Sequence, residues 1–380
     1  MLYRKMKKAE PNLSVLGFGC MRLPVLEDGH INEPLAKKMV RYAIDHGVNY
    51  VDTAYPYHNG ESEPFVGRAL LDGYRKRVNL ATKLPSWLIK SREDMDKYLN
   101  EQLERLQTNH IDFYLVHGLT KPFWENLSSL GFTKFLDDAI ADGRIRYAGF
   151  SFHDQLKLFK KIVKAYEWTF CQIQYNFMDE DYQAGTKGLE YAAKKGVGVV
   201  VMEPIRGGAL STEIPTIREI WNRTAIRRSP AEWALRWVWN HPGVTVTLSG
   251  MSTFDQVVQN VASADNGLPN SLTKKELSLI KEVKDEYKKR IEIPCTGCKY
   301  CIPCQSNVNI PECFELFNQA HIYETKDTSA HFYDMMCGGF LTGIPAYASQ
   351  CQECGECEEK CPQGLPIRDN LKKVAAYFGK

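Results

Sequence analysis

Four side chains of complementary acid–base character stand in the first third of the chain: Asp52, Tyr57, Lys83 and His117. A free phenol, with a pKa of about 10, is a poor acid at neutral pH. An ammonium beside it favours the phenolate and lowers that value, while a buried carboxylate pairs the ammonium and keeps it charged. Tyr57, Lys83 and Asp52 brought together would form a tuned proton donor, suited to protonating a carbonyl oxygen as hydride reaches its carbon. His117 would hydrogen-bond the same oxygen and fix its approach. No catalytic metal is required for this chemistry. Each residue also has a plain reading: Asp52 as a turn or helix cap, Lys83 as solvated surface, Tyr57 as an aromatic rim, His117 as a structural imidazole. On residue type alone, Tyr55 is as good an acid as Tyr57.

A second chemistry is carried by sulfur. Of 12 cysteines, eight fall in two short runs after residue 290. Cys351, Cys354, Cys357 and Cys361, followed by Pro362, reproduce the C-x2-C-x2-C-x3-C-P run of bacterial ferredoxins. Such short spacings let one loop wrap three corners of a cubane, while the fourth cysteine serves another cluster. The other run, Cys295, Cys298, Cys301 and Cys304, ends on an x2 spacing, with Pro303 before its last cysteine. Two [4Fe–4S] clusters with crossed ligation are the expectation: Cys304 with Cys351, Cys354 and Cys357, and Cys361 with Cys295, Cys298 and Cys301. Single-cluster occupancy and a four-cysteine zinc site are the alternatives. Cys20, Cys171, Cys313 and Cys337 stand outside the runs and read as buried thiols.

The elements that must position these groups follow from the hydrophobic pattern. Eight short β-rich runs alternate with amphipathic helices up to about residue 265. They are 15–19, 49–53, 78–82, 111–117, 147–151, 171–175, 197–202 and 245–249. Ser91 and Asp94 have capping-box spacing, and Ser229-Pro230 reads as a helix start. Strands alternating with helices imply a parallel sheet, and eight such units fit a closed (β/α)8 TIM barrel. In that fold, residues at the carboxyl ends of strands line one mouth. Asp52, Lys83 and His117 lie at or next to the carboxyl ends of the second, third and fourth runs, and neighbouring strands lie about 4.8 Å apart. Gly17 and Gly19 give G-x-G after the first run, but the third glycine of a dinucleotide fingerprint falls on Arg22, so that fold is disfavoured. Ile293-Pro294 breaks a charged helix (271–289) just before the cysteines. The boundary is therefore expected near 290: a barrel over 1–290, then a small, mainly helical cysteine-rich iron–sulfur domain over 291–380.

Composition narrows the classes further. The 380 residues are 44% hydrophobic and 25% charged, which is ordinary for a globular protein of two or three domains. Lys+Arg 48 against Asp+Glu 46 leaves no basic excess for nucleic acid. No apolar run reaches the roughly 18 residues of a membrane span, and no secretory signal opens the sequence. A cytoplasmic protein is expected.

At the same residues the sequence resembles the aldo-keto reductase family. The matching pieces are Leu16-Gly17-Phe18-Gly19-Cys20-Met21-Arg22, the Asp52–Tyr57 stretch, Ala81-Thr82-Lys83, Asp112 to His117 and Gly149-Phe150-Ser151. Gln172 to Asn176 and Ser229 to Leu235 continue the series in order, so that the resemblance covers about residues 1–265. It implies an NAD(P)H-dependent reductase of a small carbonyl substrate with Asp52, Tyr57, Lys83 and His117 as its tetrad, and it selects Tyr57 over Tyr55. It also implies cofactor contacts at Gly19, Cys20, Met21, Ser151, Gln172, Met202, Gly250, Ser252, Gln256 and Asn260. Three positions depart from the family. Phe152 stands where Asn often follows the serine, Met202 where many members stack a tyrosine on nicotinamide, and Gln256 where NADPH users often carry Arg. NADP is the family's cofactor, and the neutral Gln256 leaves NAD open. The cysteine module resembles the helical two-cluster ferredoxin modules of multi-component redox enzymes, which implies a redox partner protein. The competing function is an electron-transfer or docking protein built on an inactive barrel.

Overall fold

β-Branched and aromatic residues dominate the apolar runs, and in the computed structural model, which describes residues 1–339 and 343–380, each becomes a strand. A short antiparallel hairpin of β1 (Tyr3–Lys5) and β2 (Asn12–Ser14) comes first. The eight expected strands follow: β3 (Leu16–Gly19), β4 (Tyr50–Asp52), β5 (Asn79–Leu84), β6 (Ile111–Leu119), β7 (Ile145–Phe152), β8 (Phe170–Gln174), β9 (Gly198–Met202) and β10 (Val244–Gly250). They close in the order β10-β3-β4-β5-β6-β7-β8-β9 with every pairing parallel. The hairpin was not anticipated. Its three-residue strands carry too little alternation to stand out from a basic N-terminal stretch.

Alternation along each strand divides the apolar residues into two layers. Inward-facing Tyr50, Phe113, Phe170, Val200 and Val246 fill the barrel, and Phe113 packs on Tyr50, Tyr147 and Phe170 with ring centroids 5.0–5.2 Å apart. Gly149 makes room for this: a Cβ there would lie 2.4 Å from the Phe170 ring. Outward-facing residues meet the surrounding helices in a larger core that includes Trp168 and Trp239. Helix Arg92–Arg105 opens with the expected Ser91/Asp94 capping box, and another helix starts at Pro230.

Two compact units emerge, one of 1–207 with 231–273 and one of 208–230 with 274–380. The second thus takes in helix Lys274–Lys288 as well as the residues beyond 290. It is helical, with no strand among its described residues. Helices Ile310–Tyr323, Lys326–Cys337 and Ile367–Phe378 share a core of Phe314, Phe317, Tyr333, Leu371 and Val374. Cys20, Cys171, Cys313 and Cys337 are all buried, and the last two lie 4.0 Å apart in that core. Among the described residues no helix is long and apolar enough to cross a membrane.

Candidate active site and cysteine centres

Asp52 ends β4, and Lys83 is the penultimate residue of β5, two places beyond Asp52's register partner Ala81. Both side chains are buried, Lys83 completely. The Lys83 ammonium donates to Asp52 Oδ1 at 2.8 Å, to the Thr53 carbonyl at 2.7 Å and to the Tyr57 hydroxyl at 3.3 Å. Tyr57 begins a 3-10 turn, Tyr57–Gly60, in which His58 and Asn59 adopt left-handed backbone (φ 51° and 53°). His117, on β6, presents its ring edge to Tyr57 (centroids 6.3 Å apart) and to Trp87 (5.1 Å), and its Nδ1 has no hydrogen-bond partner. The four side chains, from three stretches of the chain, therefore meet. Tyr55 points elsewhere: its hydroxyl donates to Glu101 and its ring lies under Arg105.

The electrostatics of this cluster follow from burial and one internal cation. Burial alone would lower the Lys83 ammonium, but Asp52 and Tyr57 outweigh it and hold the group above its ordinary value. The lysine therefore stays charged. Burial pushes the Asp52 carboxyl up, against the pull of Lys83. For Tyr57 the balance differs from the sequence expectation. Burial is the largest effect and raises the phenol, Lys83 lowers it, and Asp52 raises it again, so the net shift is upward. Counting the ammonium alone overlooked the desolvation of the phenolate. Tyr57 is thereby held protonated, the form an acid needs. Burial first, and then the Lys83 charge, keeps His117 well below the usual histidine range, as a neutral imidazole.

The residues expected at the cofactor ring the same mouth. Gly19 and Gly250 are register partners on β3 and β10, as are Ser151 with Gln172 and Gln174 with Met202. Ser151 Oγ accepts from the Gly118 amide at 2.6 Å, which leaves its hydroxyl hydrogen to point elsewhere. Gln172 donates to the Met202 sulfur at 3.5 Å, while its carbonyl oxygen is buried without a partner. An orphaned acceptor on the strand beside Ser151 fits the carboxamide of a nicotinamide. Cys20 is buried and Met21 exposed in the turn that follows β3. Ser252 donates to the Arg22 carbonyl at 3.0 Å, and Asn260 donates to Ser249 at 3.1 Å. Gln256 accepts from the Ser252 and Thr253 amides as part of a capping box, a structural task that went unread in the sequence. Three further residues of the mouth also went unread. Trp87 lies four positions after Lys83, Arg22 has a buried, unpartnered Nη2, and Glu203 follows Met202 directly. Burial raises the Glu203 carboxyl, with Arg22 and Arg206 opposing.

In the second unit the two cysteine runs interleave. Cys295, Cys298, Cys301 and Cys361 line one hollow, backed by Ile310, Phe314, Leu365 and Ile367. Cys304, Cys351, Cys354 and Cys357 line another, together with Cys301. Corresponding turns in the two runs are built alike: the Gly297 amide donates to Cys295 Sγ and the Glu353 amide to Cys351 Sγ, both at 3.4 Å. Positive φ at Gly297 (65°) and Glu353 (57°) bends each loop back so that successive thiols face the same hollow. All eight are free thiols. Among the described residues, no three His, Cys, Asp or Glu side chains converge closely enough for a single metal ion. Two sets of four thiols spread around hollows suit a cubane, whose corners are separated, better than one tetrahedral zinc.

Residues 15–285 match the model of the aldo/keto reductase family, and residues 294–366 match that of a 4Fe-4S dicluster domain. The uncharacterized oxidoreductase YqkF of Bacillus subtilis (strain 168) is 24% identical over 310 residues, which cover 74% of this chain and 95% of that protein. The holo form of aldo-keto reductase AKR11C1 from Bacillus halodurans superimposes with a TM-score of 0.63 at 28% identity, over 74% of this chain and 96% of that one. An aldo/keto reductase from Klebsiella pneumoniae, solved with NADP and acetate, shares the fold with a TM-score of 0.59 at 24% identity, over 72% and 92%.

Proposed function

Because this chain belongs to the aldo/keto reductase family and carries a 4Fe-4S domain later in its sequence, we propose that this oxidoreductase reduces an aldehyde or ketone to an alcohol at the expense of NAD(P)H, with Tyr57 as the acid. The observation that carries this reading is the buried Lys83 ammonium, held between Asp52 and the Tyr57 hydroxyl. When bound, the nicotinamide supplies the hydride. The chain's own residues do the rest. Tyr57 keeps its proton at neutral pH and delivers it to the carbonyl oxygen. Lys83 then steadies the phenolate, which regains a proton from solvent through the open mouth. Asp52 keeps Lys83 charged, and neutral His117 offers a ring N–H to the oxygen before it is protonated. Ser151 and Gln172 orient the carboxamide, and Met202 packs beside the ring. Gly19, Cys20, Met21, Gly250, Ser252, Gln256 and Asn260 border the rest of the cofactor. With Gln256 neutral and engaged in a helix cap, NADP remains the family's choice and NAD is accepted.

In this reading, 1–290 is the catalytic domain and 291–380 holds two [4Fe–4S] clusters, ligated across the runs as the two hollows suggest. The cluster domain would meet a redox partner protein in the cytoplasm, where thiols stay reduced. The decisive experiment is NAD(P)H oxidation against an aldehyde panel. Tyr57→Phe should lower kcat by about 10²–10⁴-fold while leaving cofactor affinity unchanged. An unchanged rate in that variant rules out the proposed acid.

A further inference from the structure

The helix Ser62–Ala69 begins five residues after Tyr57, and its first two side chains tie it to the strands that carry the rest of the site. Ser62 Oγ shares a hydrogen bond with Thr53 Oγ1 at 2.8 Å, next to Asp52, and lies 3.3 Å from the Cys20 carbonyl. Glu63 is fully buried. Its Oε1 accepts from Thr82 Oγ1 at 2.6 Å and from Gln102 Nε2 at 2.6 Å. Gln102, from helix Arg92–Arg105, also donates to the Lys83 carbonyl at 3.0 Å and accepts from the Tyr114 hydroxyl at 2.8 Å. Thr82 and Lys83 are adjacent on β5, so alternation sends one outward to Glu63 and the other inward to Asp52 and Tyr57.

Two details go beyond a simple packing role. Glu63 Oε2 makes no hydrogen bond and faces Arg105 Nη1, also unbonded, at 3.6 Å. A buried carboxylate whose second oxygen is only loosely paired is expensive to keep, but its charge makes the bonds from Thr82 and Gln102 stronger than bonds to an amide oxygen. The two helices also meet at contact distance, since a Cβ on Gly67 would lie 2.8 Å from the Arg105 carbonyl. Any motion of Ser62–Ala69 is therefore transmitted to the turn Tyr57–Gly60 and opposed by the Glu63 node.

We propose that Glu63 is a positioning residue for the reduction: through Thr82 and Gln102 it locks the Tyr57-bearing turn to the backbone of Lys83 and so sets the 3.3 Å separation of the Tyr57 hydroxyl and the Lys83 ammonium. This deepens the proposed function and rests on it for the catalytic consequence, though not for the mechanical one. A misplacement of the acid by a fraction of an ångström lowers the rate of the step without weakening binding.

The test compares Glu63→Gln with the wild-type full chain, its clusters loaded, by steady-state kinetics and by amide hydrogen exchange of the peptide spanning Tyr57–Gly60. The expected result is a kcat lower by about ten- to a hundredfold. KM for cofactor and carbonyl should stay within about twofold, and exchange of that peptide should rise with the cofactor absent. Wild-type kcat together with wild-type exchange overturns the proposal, and so does a kcat loss that only tracks the unfolded fraction. If Glu63→Gln fails to fold, Thr82→Val removes one of the two donors to Glu63 and is read in the same way. A wild-type chain with no carbonyl turnover, whose Tyr57 turn still loosens in the variant, defeats the proposed function and leaves the brace standing.

Discussion

Replacing Lys83 by Met keeps most of the side-chain volume and removes the only cation hydrogen-bonded to Asp52 among the described residues. Breaking a buried ion pair by removing one partner costs about 3–5 kcal/mol, since the other charge is left uncompensated. Without Lys83 the Asp52 carboxyl rises further above its unfolded value. Burial already pushes Asp52 upward and Lys83 is what pulls it back, so the direction is set by the structure. A folded pKa above the unfolded one penalises folding only where the unfolded chain is ionised. The penalty is therefore absent below about pH 4, grows by about 1.4 kcal/mol per pH unit, and levels off above the folded value. Relative to wild type, Lys83→Met should lose more at pH 7 than at pH 5, by up to about 1.4 kcal/mol per pH unit. Urea unfolding followed through the fluorescence of the buried barrel tryptophans Trp168, Trp233 and Trp239 measures this. Adding Asp52→Asn should restore part of the stability at pH 7. An equal deficit at both pH values, or a double variant weaker than the single one at pH 7, would refute the buried-pair reasoning.

Two other measurements probe separate parts of the molecule. His117 is neutral when folded and protonates in the unfolded chain below about pH 6.5. Stability should therefore fall as pH drops through that value, by up to about 1.4 kcal/mol per unit until the lowered folded pKa is reached. His117→Gln should flatten this acid limb of the urea midpoints, and an unaltered limb assigns it to other groups. For the cysteines, Cys304→Ser combined with Cys351→Ser strikes one cluster if ligation is crossed and two if each run holds its own. Iron and acid-labile sulfide on anaerobically purified protein should fall by about half; near-complete loss would favour uncrossed ligation.

What the sequence disclosed, and what it withheld, divides along a physical line. The barrel was legible because period-2 apolar runs alternate with helical ones, and because Asp52, Lys83 and His117 each lie at or next to the end of such a run. A parallel barrel gathers strand ends at one mouth, so three residues far apart in sequence could be placed together without coordinates. The cysteine runs stood out because cluster geometry is local, and each of the two hollows is lined by cysteines of both runs. Everything that depends on packing between helices was not. Gln256 looked like a free cofactor contact, yet its side chain closes a capping box, which the Thr253–Gln256 spacing would have revealed. The upward shift of Tyr57 could not be read from its charged neighbours, because burial is a property of the folded barrel and outweighs the Lys83 ammonium. Glu63 is the clearest case. A glutamate in the second position of a helix reads as an exposed first-turn anion favoured by the helix dipole. Its burial follows from two other segments, the strand that supplies Thr82 and the helix that supplies Gln102 and Arg105. The proposed catalytic residues announce themselves by chemical type near strand ends. The residues that would hold them at the right separation show only where one element's side chain meets another element's backbone.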